Sequence, residues 1–216
     1  MAQNTGKIIC IDGPDGSGKT TQVELLKTYL QKQGYDVYTT RNSGGTPIGE
    51  ELRKASLSPN PRHPEVDVYI SLAMGVELGY DVQKHRDEGQ IVLVDRSPLA
   101  VIAYNTFGSK LENKPFGFSS AEKLLRQWQI DTILLMEAPQ DVLDARRKAR
   151  TDKPSDYFEQ QPPEYYERVQ EGYKQAAMIV ERLPELSTEV QHIDASGSVD
   201  DIQRALQLVV KNLLTV

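Results

Sequence analysis

An α/β fold, with a parallel sheet covered by helices on both faces, is predicted by three features of this 216-residue sequence. Short apolar runs alternate with longer segments of helical periodicity. The runs have apolar centres rather than an apolar residue at every second position. The first of them ends in a glycine-rich turn that leads straight into a helical segment. A strand that is apolar on both sides must be buried on both sides, as strands of parallel sheets are. Ligands of such sheets lie at the carboxyl ends of the strands.

Residues 7–12 (KIICID) predict the first strand. Residues 20–33 follow as a helix, with Val23, Leu25, Leu26, Tyr29 and Leu30 at helical spacing and Gly34 placed to end it. Further strands are predicted at 36–40, 90–95 (QIVLVD), 131–137 (DTILLME) and 190–194. Helices are predicted at 65–88 (as one or two), 119–129, 139–150, 163–183 and 199–214, the last of them amphipathic. There is no internal repeat and no low-complexity linker.

The length suits one domain, or one domain with a small mobile subdomain, and is enough to bury a sizeable core. Hydrophobic residues make up 38% and charged residues 26%, a globular rather than a disordered balance. The net charge of -6 argues against a nucleic-acid surface, a local basic patch aside. Cys10 is the single cysteine, so no intrachain disulfide forms, and its apolar neighbours predict a core role in a reducing compartment. The first residues, MAQNTGK, are polar and unlike a signal peptide, and no apolar segment is long enough to span a bilayer. The expected location is the cytoplasm, with neither nucleic acid nor membrane as partner.

GPDGSGKT at 13–20 matches G-x-x-x-x-G-K-[ST] in full, between a strand and a helix. Gly16 and Gly18 accept backbone angles that turn successive N–H groups toward phosphate oxygens, and the helix starting near Lys19 adds its positive end. Lys19 is placed for the β- and γ-phosphates of a nucleoside triphosphate and Thr20 for Mg²⁺. Asp95 ends the strand QIVLVD, where an acid can hold the Mg²⁺ shell; the alternative is a helix cap. Arg96 beside it can neutralise a phosphate. Downstream, DARRKAR (144–150) puts Arg146 and Arg150 on one helical face, either as arginines that close on a transferring phosphoryl group or as a solvated basic face. Arg41, Arg53 and Arg96 fall at strand ends or helix starts. Converging there, they would hold an acceptor that is already a phosphate; Asp15, inside the loop, would be the base for a hydroxyl acceptor.

Over nearly its whole length the sequence resembles the thymidylate kinase family of P-loop nucleoside monophosphate kinases. GPDGSGKTTQ is similar to that family's phosphate loop, and the resemblance implies donor contacts at Gly13, Asp15, Gly16, Ser17, Gly18, Lys19, Thr20 and Thr21, with Asp15 also at the acceptor sugar. RNSGGTPIGEELR (41–53) resembles the REPGGTxxGExIR segment, whose closing arginine, here Arg53, binds the monophosphate. VDRSPLAVIAYN (94–105) resembles DRYxxSSxAYQ, carrying over Asp95, Arg96 and Tyr104, the last beside the deoxyribose. ARRKARTDKPSDYFE resembles the lid, at about 146–160, followed by the VxxGY pattern at Val169, Gly172 and Tyr173. HIDASGSVDDI (192–202) resembles the strand and loop that flank the adenine of ATP. Gly16 with a basic lid resembles the form in which the lid supplies the catalytic arginine.

The resemblance implies a P-loop NTPase fold with a five-stranded parallel sheet, one kinase domain over 1–216, ATP and Mg²⁺ as cofactors, and a homodimer. It implies transfer of the γ-phosphoryl of ATP to dTMP. A kinase for another deoxynucleotide or a deoxynucleoside is the alternative, and a regulatory NTPase a third reading. Several positions depart from the family. Asn42 and Ser43 replace an acid and a proline; Ser97 replaces the tyrosine of DRY; Ala100 and Val101 replace two serines; and 156–159 reads DYFE without the lid arginine. The base-stacking Phe and base-reading Arg align with Ile70 and Met74, or, with a shift, the stacking position with Tyr69. A thioether donates no hydrogen bond, so looser base selectivity is expected.

Overall fold

The computed structural model describes residues 6–149, 157, 158 and 160–215. Each predicted strand forms: β1 (Lys7–Asp12), β2 (Val37–Arg41), β3 (Ile91–Asp95), β4 (Thr132–Glu137) and β5 (Glu189–Asp194). They make one parallel sheet in the order β2–β3–β1–β4–β5. The three most apolar strands take the centre, while β2 (VYTTR) and β5 (EVQHID) carry their polar residues at the edges. From β1 the chain first travels to one edge, and only later to β4 on the other side. A crevice therefore opens at the carboxyl end of β1. The register makes the ends level: Arg41 and Ile11 both pair with Asp95.

Alternation along the strands divides the core in two. Ile8, Cys10, Val92, Val94, Ile133 and Leu135 face one layer of helices; Ile9, Ile11, Ile91, Leu93, Leu134 and Met136 face the other. Each fully buried aliphatic side chain contributes roughly 1.5–3 kcal/mol. The second layer contains α1 (Lys19–Lys32), α5 (Gln140–Lys148) and α7 (Val199–Leu214), through residues such as Leu26, Leu143 and Leu206. The first contains α3 (Pro64–Asp87), α4 (Lys114–Trp128) and α6 (Pro163–Glu181); α2 (Pro47–Leu57) lies against α3. Cys10 is a free thiol whose ionisation burial pushes well up, so it is core. No helix among the described residues is long and apolar enough to cross a membrane.

The 65–88 pattern forms the single helix α3, and α4 begins earlier than its apolar spacing indicates, at Lys114, because Asn113 caps it by accepting from Phe116 N. Besides a single 3-10 turn at Pro184–Leu186, two helices are absent from the periodicity reading. α2 buries only Gly49 and Ser56, so it has no apolar stripe; Thr46, accepting from Gly49 N at 3.1 Å, and Pro47 start it instead. Val101–Gly108 is a π-helix, shown by five-residue bonds from Ser109 N to Tyr104 O and from Leu111 N to Thr106 O, both 2.9 Å. It is nearly all buried, so polarity marks no face. Its largest contact is with α6, where Gly172 permits the approach: a Cβ there would lie 2.6 Å from Ala103 Cα.

Candidate active site

β1 delivers its last residue, Asp12, into the sheet interior, and the loop 13–20 wraps from it into α1. Gly16 (φ 92°) and Gly18 (φ 94°) hold the left-handed angles the turn needs. No side chain caps α1 and no acid lies in its first turn, so the helix presents its opening amides as an anion site. Lys19 lies across the loop and is 6% exposed, donating from Nζ to Gly13 O at 2.8 Å and Pro14 O at 3.0 Å. Burial, then Arg96, lowers its pKa to about 8 against the pull of Asp15 and other acids, which leaves it charged at neutral pH.

Asp12 is fully buried and fully bonded. One oxygen accepts from Gly13 N (2.8 Å) and Tyr173 OH (2.7 Å); the other accepts from Ser97 N (2.8 Å) and Ser97 Oγ (2.6 Å). One carboxylate thus joins the phosphate loop, the exit of β3 and α6. Sequence reasoning missed it, although an acid ending an apolar strand directly before a glycine loop was visible.

Arg96 follows β3 with φ 77°, a left-handed angle costly for a side chain with Cβ, and its N–H donates to Ile11 O at 2.9 Å. Its guanidinium pairs with the Asp15 carboxylate and stands 4.7 Å from the centre of the Tyr104 ring. Tyr104 OH in turn accepts from Asp15 N at 3.0 Å. Burial alone would raise the Asp15 pKa; Arg96 first, then Lys19 and the Tyr104 hydroxyl, outweigh it and hold the group at about 2. The Tyr104 phenol is pushed up, chiefly by burial. Three of the predicted residues, Asp15, Arg96 and Tyr104, therefore stand together beside the loop.

Thr20 Oγ1 donates to Asp95 Oδ2 at 2.6 Å, so these two predicted residues also meet. Arg41 makes a forked pair with Glu50, 2.9 Å to each oxygen, and Glu50 also accepts from Gly45 N. That backbone bond, followed by Arg41, holds the Glu50 carboxyl low against its partial burial. Arg53 donates to Ser43 O at 2.9 Å. Arg41 and Arg53 thus gather on the loop after β2, and Arg96 on the loop after β3. Asn42 ties the two loops, donating from N to Asp95 O (2.9 Å) and from Nδ2 to Ser97 O (3.2 Å).

Within the basic segment, Arg146 and Arg147 go to different neighbours. Arg146 turns to the loop after β5, donating to Ala195 O (2.6 Å), Gly197 O (3.0 Å) and Ser196 O (3.3 Å). Arg147 is the residue at the phosphate loop: it donates to Asp15 O at 3.0 Å, pairs with Asp144 and lies 3.8 Å from the centre of the Tyr166 ring. Helical spacing groups Arg146 with Arg150, which, with lid residues 151–156 and 159, lies outside the described residues; between Arg146 and Arg147, the approach of Leu143 and Arg147 to Gly16 brings Arg147 to the loop. Farther along, Arg62 binds the buried Asp67 at 2.6 Å and faces the Tyr157 ring. On α3, Met74 is fully buried and Ile70 half-buried, whereas Tyr69 is 60% exposed and packs on Phe116.

A thymidylate kinase family profile matches residues 11–206. Thymidylate kinase of Alkalilimnicola ehrlichii is 32% identical over 220 residues, covering 97% of this chain and 94% of that protein. Thymidylate kinase of Nitrosospira multiformis is 31% identical over 98% of each chain, and that of Symbiobacterium thermophilum 33% identical over 95% of this chain and 93% of its own.

The Asp15 pairing has a consequence in acid. A carboxylate with a folded pKa of about 2, below its unfolded value near 3.9, adds stability that is present above pH ~4 and is lost as pH falls toward 2. Urea midpoints of the wild type and Asp15→Asn should therefore differ most near pH 6 and converge as the pH drops. A gap that stays constant across that range would show that the ion pair carries no net stability.

Proposed function

This chain belongs to the thymidylate kinase family, and on that footing we propose that it transfers the γ-phosphoryl of ATP to dTMP, giving dTDP. The observation that carries the reading is the Arg96–Asp15–Tyr104 wall against a complete phosphate loop: a fixed cation and polar groups beside the donor cradle. Lys19 and the loop amides at Gly16, Gly18, Lys19 and Thr20 hold the donor phosphates. Arg41, Arg53 and Arg96 hold the acceptor phosphate, whose oxygen attacks the γ-phosphorus as ADP leaves. A phosphate needs no base to become a nucleophile. Asp15, at about 2, is too weak a base to strip a hydroxyl; it orients Arg96 and meets the acceptor sugar with Tyr104.

Thr20 and Asp95 are the residues that would hold Mg²⁺. Their paired hard oxygens suit it, and Mg²⁺ takes few protein ligands; among the described residues no group of three His, Cys, Asp or Glu side chains offers a cage. When bound, the ion neutralises charge on the donor phosphates. Arg146, set against the loop 195–197, lies where the family places adenine, and we read it as a donor-base contact. Arg147 is the lid arginine that turns from Asp15 O to the transferring group, with Arg150 as a second candidate beyond the described residues. The reading takes 1–216 as one cytoplasmic kinase domain with its lid at about 146–160. It is a homodimer through the outer face of α3, where Val66, Tyr69 and Tyr80 are exposed on one stripe; sedimentation as a monomer at micromolar concentration would exclude that.

ADP release with ATP and Mg²⁺ tests the acceptor: dTMP should stimulate turnover far more than thymidine, and thymidine outrunning every monophosphate would overturn the reading. Separate variants test the two arginines. Arg147→Ala should lower kcat by about 10³-fold with little change in the dTMP KM, as an arginine engaging only the transition state does. Arg146→Ala should mainly raise the KM for ATP. Near-normal kcat in a folded Arg147→Ala protein would remove its catalytic assignment.

A further inference from the structure

A second crevice, of about 520 Å³, opens at the ends of β4 and β5, between them, α6 and the start of the phosphate loop. That is the size of a small-molecule site. Strand alternation fixes which side of the sheet it occupies. Glu137 shares its side with Leu135, and His192 and Asp194 share theirs with Val190, all toward α6. Ile193, between them, faces α5 and α7. Arg146 and the loop it holds belong to that opposite layer. Arg41 and Arg96 follow β2 and β3, across β1 from this edge. The crevice is therefore separate from both substrate sites described above.

Its walls are of two kinds. Pro14, Ala138, Pro139 and the ring of Tyr173 are flat and apolar. On the sheet side stand two carboxylates, Glu137 and Asp194, opposite each other in the β4–β5 register. Glu137 Oε2 pairs with His192 Nδ1 at 2.8 Å, which leaves Oε1 to a ligand. On α6, Gln170 gives its amide nitrogen to Gln140 and keeps its carbonyl oxygen for the cavity. Hydrogen-bond acceptors thus outnumber donors. The strong donor is Lys174, one turn after Gln170, which has no hydrogen bond or ion pair among the described residues. It pairs with neither carboxylate, so opposite charges face the cavity from opposite walls.

We propose that this crevice binds a nucleotide whose base carries an exocyclic amino group. The amino group donates to Glu137 and Asp194, the ring lies on the flat walls, and the phosphate meets Lys174. A carbonyl in place of the amino group, as in uracil or thymine, would set oxygen against carboxylate. The site therefore prefers bases that the acceptor reading does not, and it stands apart from that reading. Its occupant touches the machinery without entering it: Tyr173 OH is bonded to Asp12 at 2.7 Å, and Pro14 O accepts from Lys19 at 3.0 Å.

Calorimetric titration of the full chain, with ADP and dTMP in excess to fill both substrate sites, tests this with dCMP, dUMP and deoxycytidine. The first two differ only in the amino or carbonyl group at position 4. dCMP should bind saturably at a single site, with dUMP about tenfold weaker, and deoxycytidine should be weaker than dCMP for want of the phosphate. Glu137→Gln, whose amide can also donate, should bring dUMP close to dCMP. Lys174→Ala should weaken dCMP to the level of deoxycytidine. Both variants are checked for folding by circular dichroism. Absence of saturable dCMP binding, or dCMP binding that both folded variants leave unchanged, would overturn the proposal. So would displacement of dCMP by further dTMP or ADP, which would put it in the substrate sites.

Discussion

A carboxylate removed from water has to find its hydrogen bonds inside the protein, and everything at the mouth of this sheet is arranged around the one that does. Asp12 takes four, from the first amide of the phosphate loop, from both donors of Ser97, and from Tyr173 of α6. Leaving a buried ion short of a partner costs several kcal/mol, so the three segments cannot shift independently. The loop is held at its root, Ser97 fixes the turn that carries Arg96, and α6 is drawn over the crevice. The loop's shape is therefore set by the protein's own hydrogen bonds, which lessens the ordering that binding must offset.

Above that anchor the site is a balance of buried charges. Lys19 and Arg96 share a desolvated crevice, where burial first and then the Arg96 charge lower the Lys19 pKa to about 8. Asp15 offsets them, bonded to Arg96 and 3.9 Å from Lys19. Such a site is well matched to incoming phosphates, whose charge adds to that of the carboxylates already acting on Lys19 and Arg96.

Gly16 links this balance to the helix after β4. A Cβ at that position would come within 2.6 Å of Leu143 O and 3.3 Å of Arg147 Cγ. Its absence lets α5 settle on the loop, so that Arg147 meets the Asp15 carbonyl while Tyr166 supports the guanidinium face. A missing side chain in the loop and an arginine from elsewhere are thus two halves of one contact.

The sheet, its two faces and the phosphate loop were legible in the residues alone, because these rest on local signals: strand runs apolar on both sides, a full glycine motif and helical spacing in most of the helices. α2 and the π-helix escaped that reading because Gly49 and Ser56 make no stripe, and because a segment buried on almost every side has no periodicity. Asp15, Arg96 and Tyr104 could be named from their motifs, as could Thr20 and Asp95, but not their mutual bonds. Which of two adjacent arginines faces the loop, which acid anchors it, and which of Tyr69 and Met74 turns inward were decided by tertiary packing. Those outcomes depend on distances between segments far apart in the chain, such as Asp12 to Tyr173 and Ser71 to Asn105, which local patterning does not encode.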